Sequence, residues 1–174
     1  MSDYGTHGEP NTLRLERILP GPIERVWEYL TDSEKRARWF APGTIELRTG
    51  GRVHLVADNA KLSGGETPEQ YKCKSPVMRG EVLECDPPRL LRYRWDHDSA
   101  EPSDVTFELT PQGKDVRLVL THRRVLSRGL LVGVSTGWHT HIGLLVATLR
   151  GETPEPFWPK FEQLKSEYEK RIPA

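Results

Sequence analysis

Cysteines are scarce in this sequence, and long apolar runs are absent. Cys73 and Cys85 are the two cysteines, and their spacing matches neither a CxxC redox motif nor a zinc site. The longest apolar stretch covers residues 129–134, whereas a transmembrane helix needs roughly 20 residues. Residues 1–11 are polar and lack the apolar centre of a signal peptide. The sequence therefore predicts a cytoplasmic protein with free thiols and no membrane span.

An excess of charge of one sign is absent as well. The 174 residues include 25 Lys and Arg and 25 Asp and Glu, so the formal net charge is zero. This balance gives no overall field to attract nucleic acid or anionic lipid. Hydrophobic residues make up 36% and charged residues 29% of the chain, which is typical of one soluble globular domain. Nucleic acid is therefore not an expected partner.

Alternation of apolar and polar residues predicts an antiparallel sheet. The first alternating segment covers residues 13–18 and ends at Pro20-Gly21-Pro22, and two short helices are predicted to follow it. The second of these is expected to begin at Thr31, whose spacing to Glu34 matches a capping box. Alternation then returns in segments that Gly50-Gly51 and later turns connect, at residues 45–55, 78–84, 91–95, 105–109 and 116–121.

A long amphipathic helix follows the strands. Its apolar residues recur every three or four positions, at Val134, Trp138, Ile142, Leu145 and Leu149. Glycines weaken its first turns, so it is predicted to begin near Ser135. A twisted sheet wrapped around a straight helix leaves a gap at one end, and such gaps commonly hold ligands, although a small gap can also be packed shut.

Four segments resemble a known family in order and spacing. They are PGPIERVWEYLTDSEKRARWF, GGRVHLV, GEVLECDPPRLLRYRW and GWHTHIGLLVATL. Over residues 13–149 the sequence resembles the activator of heat-shock protein 90 ATPase-like branch of the START-like, birch-pollen-allergen (SRPBCC) superfamily. The resemblance implies an α+β helix-grip fold, in which a curved antiparallel sheet of about six to seven strands wraps around a long C-terminal helix, with two short helices after the first strand. Members of the superfamily bind lipids, hormones and polyketides, and some are cyclases or aromatases.

The chain divides into a flexible tail at residues 1–11, the helix-grip domain at 12–151 and a helical extension at 152–174. The loop at residues 58–75 is longer than the family's usual turn, and it is either a lid over the cavity or a surface insertion. The extension carries one aromatic and aliphatic face, formed by Phe157, Phe161, Leu164, Tyr168 and Ile172. This face packs on its own domain, on a second copy or on a partner such as a chaperone.

Twelve residues are candidates for the cavity wall: Arg17, Trp27, Trp39, Phe40, Leu55, Tyr93, Trp95, Phe107, Trp138, His141, Ile142 and Leu145. Arg17 is in phase with the inward-facing strand residues Leu13 and Leu15, so its guanidinium either anchors a ligand carboxylate or forms an internal salt bridge or snorkels to the surface. His141 is either a proton-transfer group or a core histidine. The aromatic candidates are either pocket wall or simple core.

Sequence signals for catalysis are weak. Nucleophile elbows and glycine-rich phosphate loops are missing from the sequence. His139 and His141 point about 200° apart on a helix and cannot share one metal ion. Asp96-His97-Asp98 is predicted to lie in a turn at a strand end, where adjacent side chains rarely converge. We therefore expect no metal or cofactor. Binding of a small hydrophobic ligand is the main functional prediction, and a co-chaperone that activates heat-shock protein 90 and a cyclase- or hydrolase-like enzyme are the alternatives.

Overall fold

The computed structural model describes residues 2–64, 66–72, 77–95 and 101–174. Within these ranges seven strands form one sheet: β1 (Leu13–Pro20), β2 (Gly43–Ile45), β3 (Arg52–Val56), β4 (Val77–Asp86), β5 (Leu90–Trp95), β6 (Ser103–Gln112) and β7 (Asp115–Arg123). The helices are α1 (Ile23–Thr31), α2 (Ser33–Arg36), α3 (Asn59–Ser63), α4 (Arg128–Arg150) and α5 (Phe157–Arg171), and a 3-10 turn covers Glu69–Tyr71.

The sheet is antiparallel throughout and has the strand order β1-β7-β6-β5-β4-β3-β2. The segments in which apolar and polar residues alternate are therefore strands of this antiparallel sheet. A register shift between Val82 and Glu84 marks an irregularity in β4, and such bulges bend a sheet. The apolar face of the sheet packs against α4, whose Trp138 ring contacts Trp95 and Phe107. The α+β helix-grip architecture is confirmed.

Two helix starts differ from the sequence predictions. Asp32 caps α2, because its carboxylate accepts the Lys35 backbone N–H at 2.9 Å, and the Thr31 hydroxyl instead donates to the Trp27 carbonyl. The predicted capping box is therefore wrong. Helix α4 begins at Arg128 with a Ser127 cap, ahead of the predicted start at Ser135. Burial of the apolar side chains in its first turns outweighs the low helix propensity of its glycines.

The N-terminal segment, predicted to be a loose tail, is attached to the domain over its described residues. Thr6 pairs with Arg14 through two backbone hydrogen bonds of 2.8 and 3.0 Å. The Gly5 N–H donates to the Tyr168 hydroxyl at 2.8 Å, and the Arg171 guanidinium lies 3.7 Å from the centre of the Tyr4 ring. Tyr4 and Gly5 thus find partners on α5 that the local sequence pattern cannot reveal.

Helix α5 packs on its own domain, which is one of the three alternatives for its apolar face. Phe157, Leu164 and Tyr168 are buried, and the Phe157 ring lies 4.8 Å from that of His141 on α4. Most of the face is therefore covered from within the chain, while Phe161 is only partly buried. The long loop, over its described residues, contains α3 and the Glu69–Tyr71 turn.

Helix α4 is long and apolar enough to cross a membrane by length and composition alone, but 61% of its most apolar window is buried inside the protein. This burial is that of a core helix. Cys85 is a free cysteine, and burial raises the pKa of its thiol. Cys73, Asp96, His97 and Asp98 lie outside the described residues.

Candidate functional site

The centre of the sheet–helix interface is filled by side chains. Trp138 is only 3% exposed, and its ring centre lies 5.0, 5.5 and 5.6 Å from those of Phe40, Trp95 and Phe107. Tyr93 lies between the last two of these rings, stacked on both. Contacts of this kind form a packed aromatic core, so any ligand space lies away from this centre.

An apolar cleft opens at the end of the sheet that Phe40 covers. Its volume is about 580 Å³, within the usual range for small-molecule sites. Strand residues, the segment from β3 to the Glu69–Tyr71 turn and the start of α5 form its wall, namely Phe40, Ala41, Leu55, Val56, Ala57, Asp58, Asn59, Thr67, Tyr71, Lys72, Val77, Met78, Trp95 and Trp158. The wall is mostly aromatic and aliphatic, and its few polar groups come mainly from the long loop.

Of the twelve sequence candidates, three line this cleft: Phe40, Leu55 and Trp95. Eight further candidates are buried in the core: Trp27, Trp39, Tyr93, Phe107, Trp138, His141, Ile142 and Leu145. The position of an apolar residue in a strand alternation or a helix period shows that its side chain points inward. It does not show whether the space next to that side chain is filled by other residues.

Two aromatic residues of the wall escaped the sequence prediction. The Tyr71 and Trp158 rings stack with centres 4.9 Å apart and planes at 5°. Lys165 on α5 donates to the Tyr71 hydroxyl at 3.3 Å. The signals that could have found them were the unusual length of the loop and the unexplained aromatic face of α5.

Arg17 lies outside the apolar cleft. It is on β1, at the opposite edge of the sheet from β2 and β3, and it lines a separate polar cleft of about 520 Å³. Its guanidinium donates to the backbone carbonyls of Asp3 and Glu16 at 2.6 and 2.8 Å. The Arg17 guanidinium is thus held by backbone carbonyl oxygens, whereas the internal alternative predicted from the sequence was a salt bridge or a snorkelling side chain.

His139 and His141 face different surroundings. The His141 Nδ1–H donates to the Trp39 carbonyl at 2.9 Å, whereas His139 Nδ1 is 2.9 Å from the Tyr168 hydroxyl. Burial lowers the pKa of each ring to about 4. Both rings are therefore neutral near pH 7, and His141 acts as a fixed hydrogen-bond donor within the core.

The sequence model of the family described as "Activator of Hsp90 ATPase homolog 1-like protein" matches residues 20–150. The chain belongs to this family. None of the curated proteins compared with the chain matches it. The family match covers the sheet, apart from most of β1, and α1 to α4, whereas α5 with Trp158 lies beyond it.

Solved structures similar to this Activator of Hsp90 ATPase homolog 1-like chain include the protein encoded by gene BPP1335 of Bordetella parapertussis. That protein is 40% identical, over 99% of this chain and 92% of its own, with a TM-score of 0.84. CalU16 of Micromonospora echinospora is 23% identical, over 94% and 89%, with a TM-score of 0.70. EF2215 of Enterococcus faecalis, described as of unknown function, is 18% identical, over 94% and 86%, with a TM-score of 0.67. The last two similarities show the helix-grip fold alone.

One serine–histidine pair in this family member has the spacing of a catalytic dyad. Ser103 Oγ lies 2.7 Å from His122 Nε2, but His122 Nδ1 accepts the Trp138 indole N–H at 2.9 Å. An indole N–H can only donate, so the neutral histidine must carry its hydrogen on Nε2 and donate it to Ser103. Burial lowers the pKa of His122 to about 4, so the ring is neutral at pH 7. A general base would have to accept the serine proton, and this tautomer cannot.

Arg36 is a structural residue that the sequence analysis missed. It is 1% exposed, and its guanidinium donates to the carbonyls of Ala41 and Gly43 at 2.9 and 2.6 Å and to those of Leu30 and Thr31 at 3.3 and 2.9 Å. These four bonds fix the turn from α1 through α2 to β2. Phe40, which belongs to this turn, is thereby held at the mouth of the cleft.

Proposed function

We propose that this chain binds a small, largely apolar molecule in the cleft between the end of the sheet and α5. The observation that carries the proposal is the aromatic cleft itself, which lies next to the packed Trp138 core and combines Phe40, Trp95, Tyr71 and Trp158 in one wall. A small-molecule site typically combines a mostly apolar wall with a few placed polar groups. The binding function requires no metal or cofactor, and we expect it in the cytoplasm.

The structural arrangement supports a binding protein more than an enzyme. The Ser103–His122 pair has the wrong tautomer for nucleophilic attack, and His141 is buried with its Nδ1–H held by a backbone carbonyl. Proton transfer by His141 would need a ring that titrates near neutral pH, whereas burial lowers its pKa to about 4.

The test is a titration with 6-propionyl-2-dimethylaminonaphthalene, a neutral dye whose emission moves to shorter wavelength in apolar surroundings. We expect saturable binding of one dye per chain. Ala57 lines the cleft and is half-buried, so Ala57→Trp should fill the space and abolish binding. The matched control is Lys114→Trp on the exposed β6–β7 turn, which should bind like the wild type.

Circular dichroism would verify that both variants are folded. Dye binding that never saturates, or equal affinity of Ala57→Trp and wild type, would refute the cleft as the binding site.

A further inference from the structure

The polar cleft that Arg17 lines is a second candidate site, separate from the apolar cleft. Strand β1, helix α4, the N-terminal segment, the connection from α4 to α5 and the first turn of α5 form its wall. The apolar part of this wall is aliphatic, and it is formed by Ile18 of β1 and by Leu144, Val146 and Ala147 of α4. The cleft therefore offers aliphatic surface together with charged and polar side chains.

Arg17 gives this cleft a positive charge that is not paired with a carboxylate. Its guanidinium donates to two backbone carbonyls, and among the described residues it forms no ion pair. Burial lowers the pKa of Arg17, and the charge of Asp3 offsets this effect only in part. A guanidinium has five N–H donors, so the two carbonyls leave donors available. A partly buried cation in this state favours an anionic ligand.

His139 supplies a hydrogen-bond donor to the same cleft. The Tyr168 hydroxyl oxygen accepts the Gly5 N–H, and its own hydrogen has His139 Nδ1, 2.9 Å away, as its acceptor. A neutral histidine that accepts through Nδ1 carries its hydrogen on Nε2. Over the described ranges, the fully buried polar side-chain atoms without a partner belong to Asn59, Thr106 and Trp158. His139 Nε2 also has no partner among the described residues but is not one of these buried atoms, so its N–H is accessible from the cleft that the ring lines.

The other charges of the wall limit the ligand to one negative charge. The cations that line the cleft are Arg17, Arg150 and Lys160, and the carboxylates are those of Asp3, Glu16, Glu152 and Glu155. Glu16 is already paired with Arg14 and Arg117, and Lys160 is paired with Glu155 at 3.3 Å. Asp3 and Glu152 are exposed, and their carboxylates would repel a second negative charge. A monoanion fits this balance better than a phosphate dianion.

We propose that the polar cleft binds a short aliphatic monocarboxylate. Its carboxylate accepts hydrogen bonds from the Arg17 guanidinium and the His139 Nε2–H, and its alkyl chain lies on the aliphatic side chains of α4. A carboxylate has the acceptor capacity for both donors, and hydrogen bonds between ionised groups are stronger than those between neutral groups. This site goes beyond the function proposed above and uses different residues, so the two can be tested separately.

The test uses hexanoate and hexanamide, a carboxylate and a neutral amide of nearly equal shape, in isothermal titrations at pH 7. We expect hexanoate to bind about tenfold more tightly, because hydrogen bonds to charged groups contribute more than those between neutral groups. In long-range ¹H–¹⁵N spectra of the histidine rings, the His139 Nε2 signal is identified by its loss in His139→Gln. This signal should move with hexanoate and stay in place with hexanamide.

Variants separate the carboxylate contact from general packing. Arg17→Gln removes the positive charge and should bring the affinity ratio of the two probes toward one. Gly143 lines the cleft, and a side chain added there meets open space, so Gly143→Leu should fill the cleft and abolish hexanoate binding in a folded protein. The matched control is Gly133→Leu on the same helix, where the space is equally open, and it should bind hexanoate like the wild type. Ala57→Trp, which fills the apolar cleft, should also bind hexanoate normally.

Four outcomes would overturn this inference and leave the proposed function of the apolar cleft standing. They are the absence of saturable hexanoate binding, equal affinity for both probes, a His139 signal that does not move, and full hexanoate binding by Gly143→Leu. Loss of hexanoate binding in Ala57→Trp would instead assign the carboxylate to the apolar cleft, which would overturn the inference as well.

Discussion

Mild acid should destabilise this protein through histidines that are buried in their neutral form. Burial lowers the pKa of His122, His139 and His141 to about 4 in the folded state, whereas an unfolded histidine titrates near 6.5. Between these values the unfolded chain binds more protons than the folded chain. The free energy of unfolding is therefore undiminished above the unfolded pKa, falls as the pH drops below about 6.5, and levels off below about 4.

The magnitude follows from the same shift. A pKa lowered from about 6.5 in the unfolded chain to about 4 in the folded protein gives about 3 kcal/mol per histidine when titration is complete and about 2 kcal/mol between pH 7 and pH 5. Three such histidines together contribute about 6 kcal/mol over that interval, which is comparable to the whole stability of a typical domain, about 5–15 kcal/mol. A steep loss of stability is therefore expected well above the pH at which carboxylates titrate.

Urea unfolding at a series of pH values from 7 to 5, followed by far-UV circular dichroism, measures this effect. The informative variant is His141→Asn, whose side-chain N–H can still donate to the Trp39 carbonyl but does not titrate. Its loss of stability between pH 7 and pH 5 should be smaller than that of the wild type by about 2 kcal/mol.

The matched control is Ile142→Val, a change next to His141 on α4 that removes no titratable group. It should show the full pH dependence of the wild type. A wild-type stability that changes by less than about 1 kcal/mol over this range, or the same slope for His141→Asn, would refute the reasoning.

Three further predictions concern the packing. Arg36→Lys should lower the free energy of unfolding by roughly 2–4 kcal/mol, since an ammonium group cannot reach the four carbonyls that the guanidinium satisfies; an unchanged urea midpoint would contradict this. Trp138→Ala should cost about 3–5 kcal/mol, because it empties the centre of the core, and the same unfolding assay measures it. Tyr168→Phe removes the hydroxyl that accepts the Gly5 N–H, so amide hydrogen exchange near Gly5 should accelerate while the core strands keep their protection. Equal exchange in both proteins would show that the hydroxyl does not hold the N-terminal segment.

Much of the fold could be predicted from the sequence because the sheet has one polar and one apolar face. Clean alternation in β5, β6 and β7 fixed which residues point inward, and the period change after Gly129 revealed α4. The start of α4 could not be located, because glycine propensity is a local cost and the compensating burial of Leu131 and Val132 is a tertiary effect. The N-terminal segment and α5 stabilise each other through contacts that are distant in sequence, such as that of Gly5 with Tyr168.

The candidate site was predicted less completely than the fold. Phe40 was predicted because the short helices were expected to close the gap at the end of the sheet, and Trp95 because it has an inward position in its strand. Both line the cleft together with Leu55. The hydrophobic pattern could not show that Trp138 is large enough to fill the centre of the interface. It also could not bring Tyr71 and Trp158 together, because their stacking depends on how the long loop folds over α5.

Helix α5 connects the cleft with the N-terminal segment. One of its ends contributes Trp158 to the cleft, and the other holds the N-terminal segment through Tyr168 and Arg171. A truncation after Gly151 would therefore remove one wall of the cleft, and it would also release the N-terminal segment that precedes β1. Affinity tags and fusion partners are better placed in the exposed β6–β7 turn at Gly113 than at either terminus.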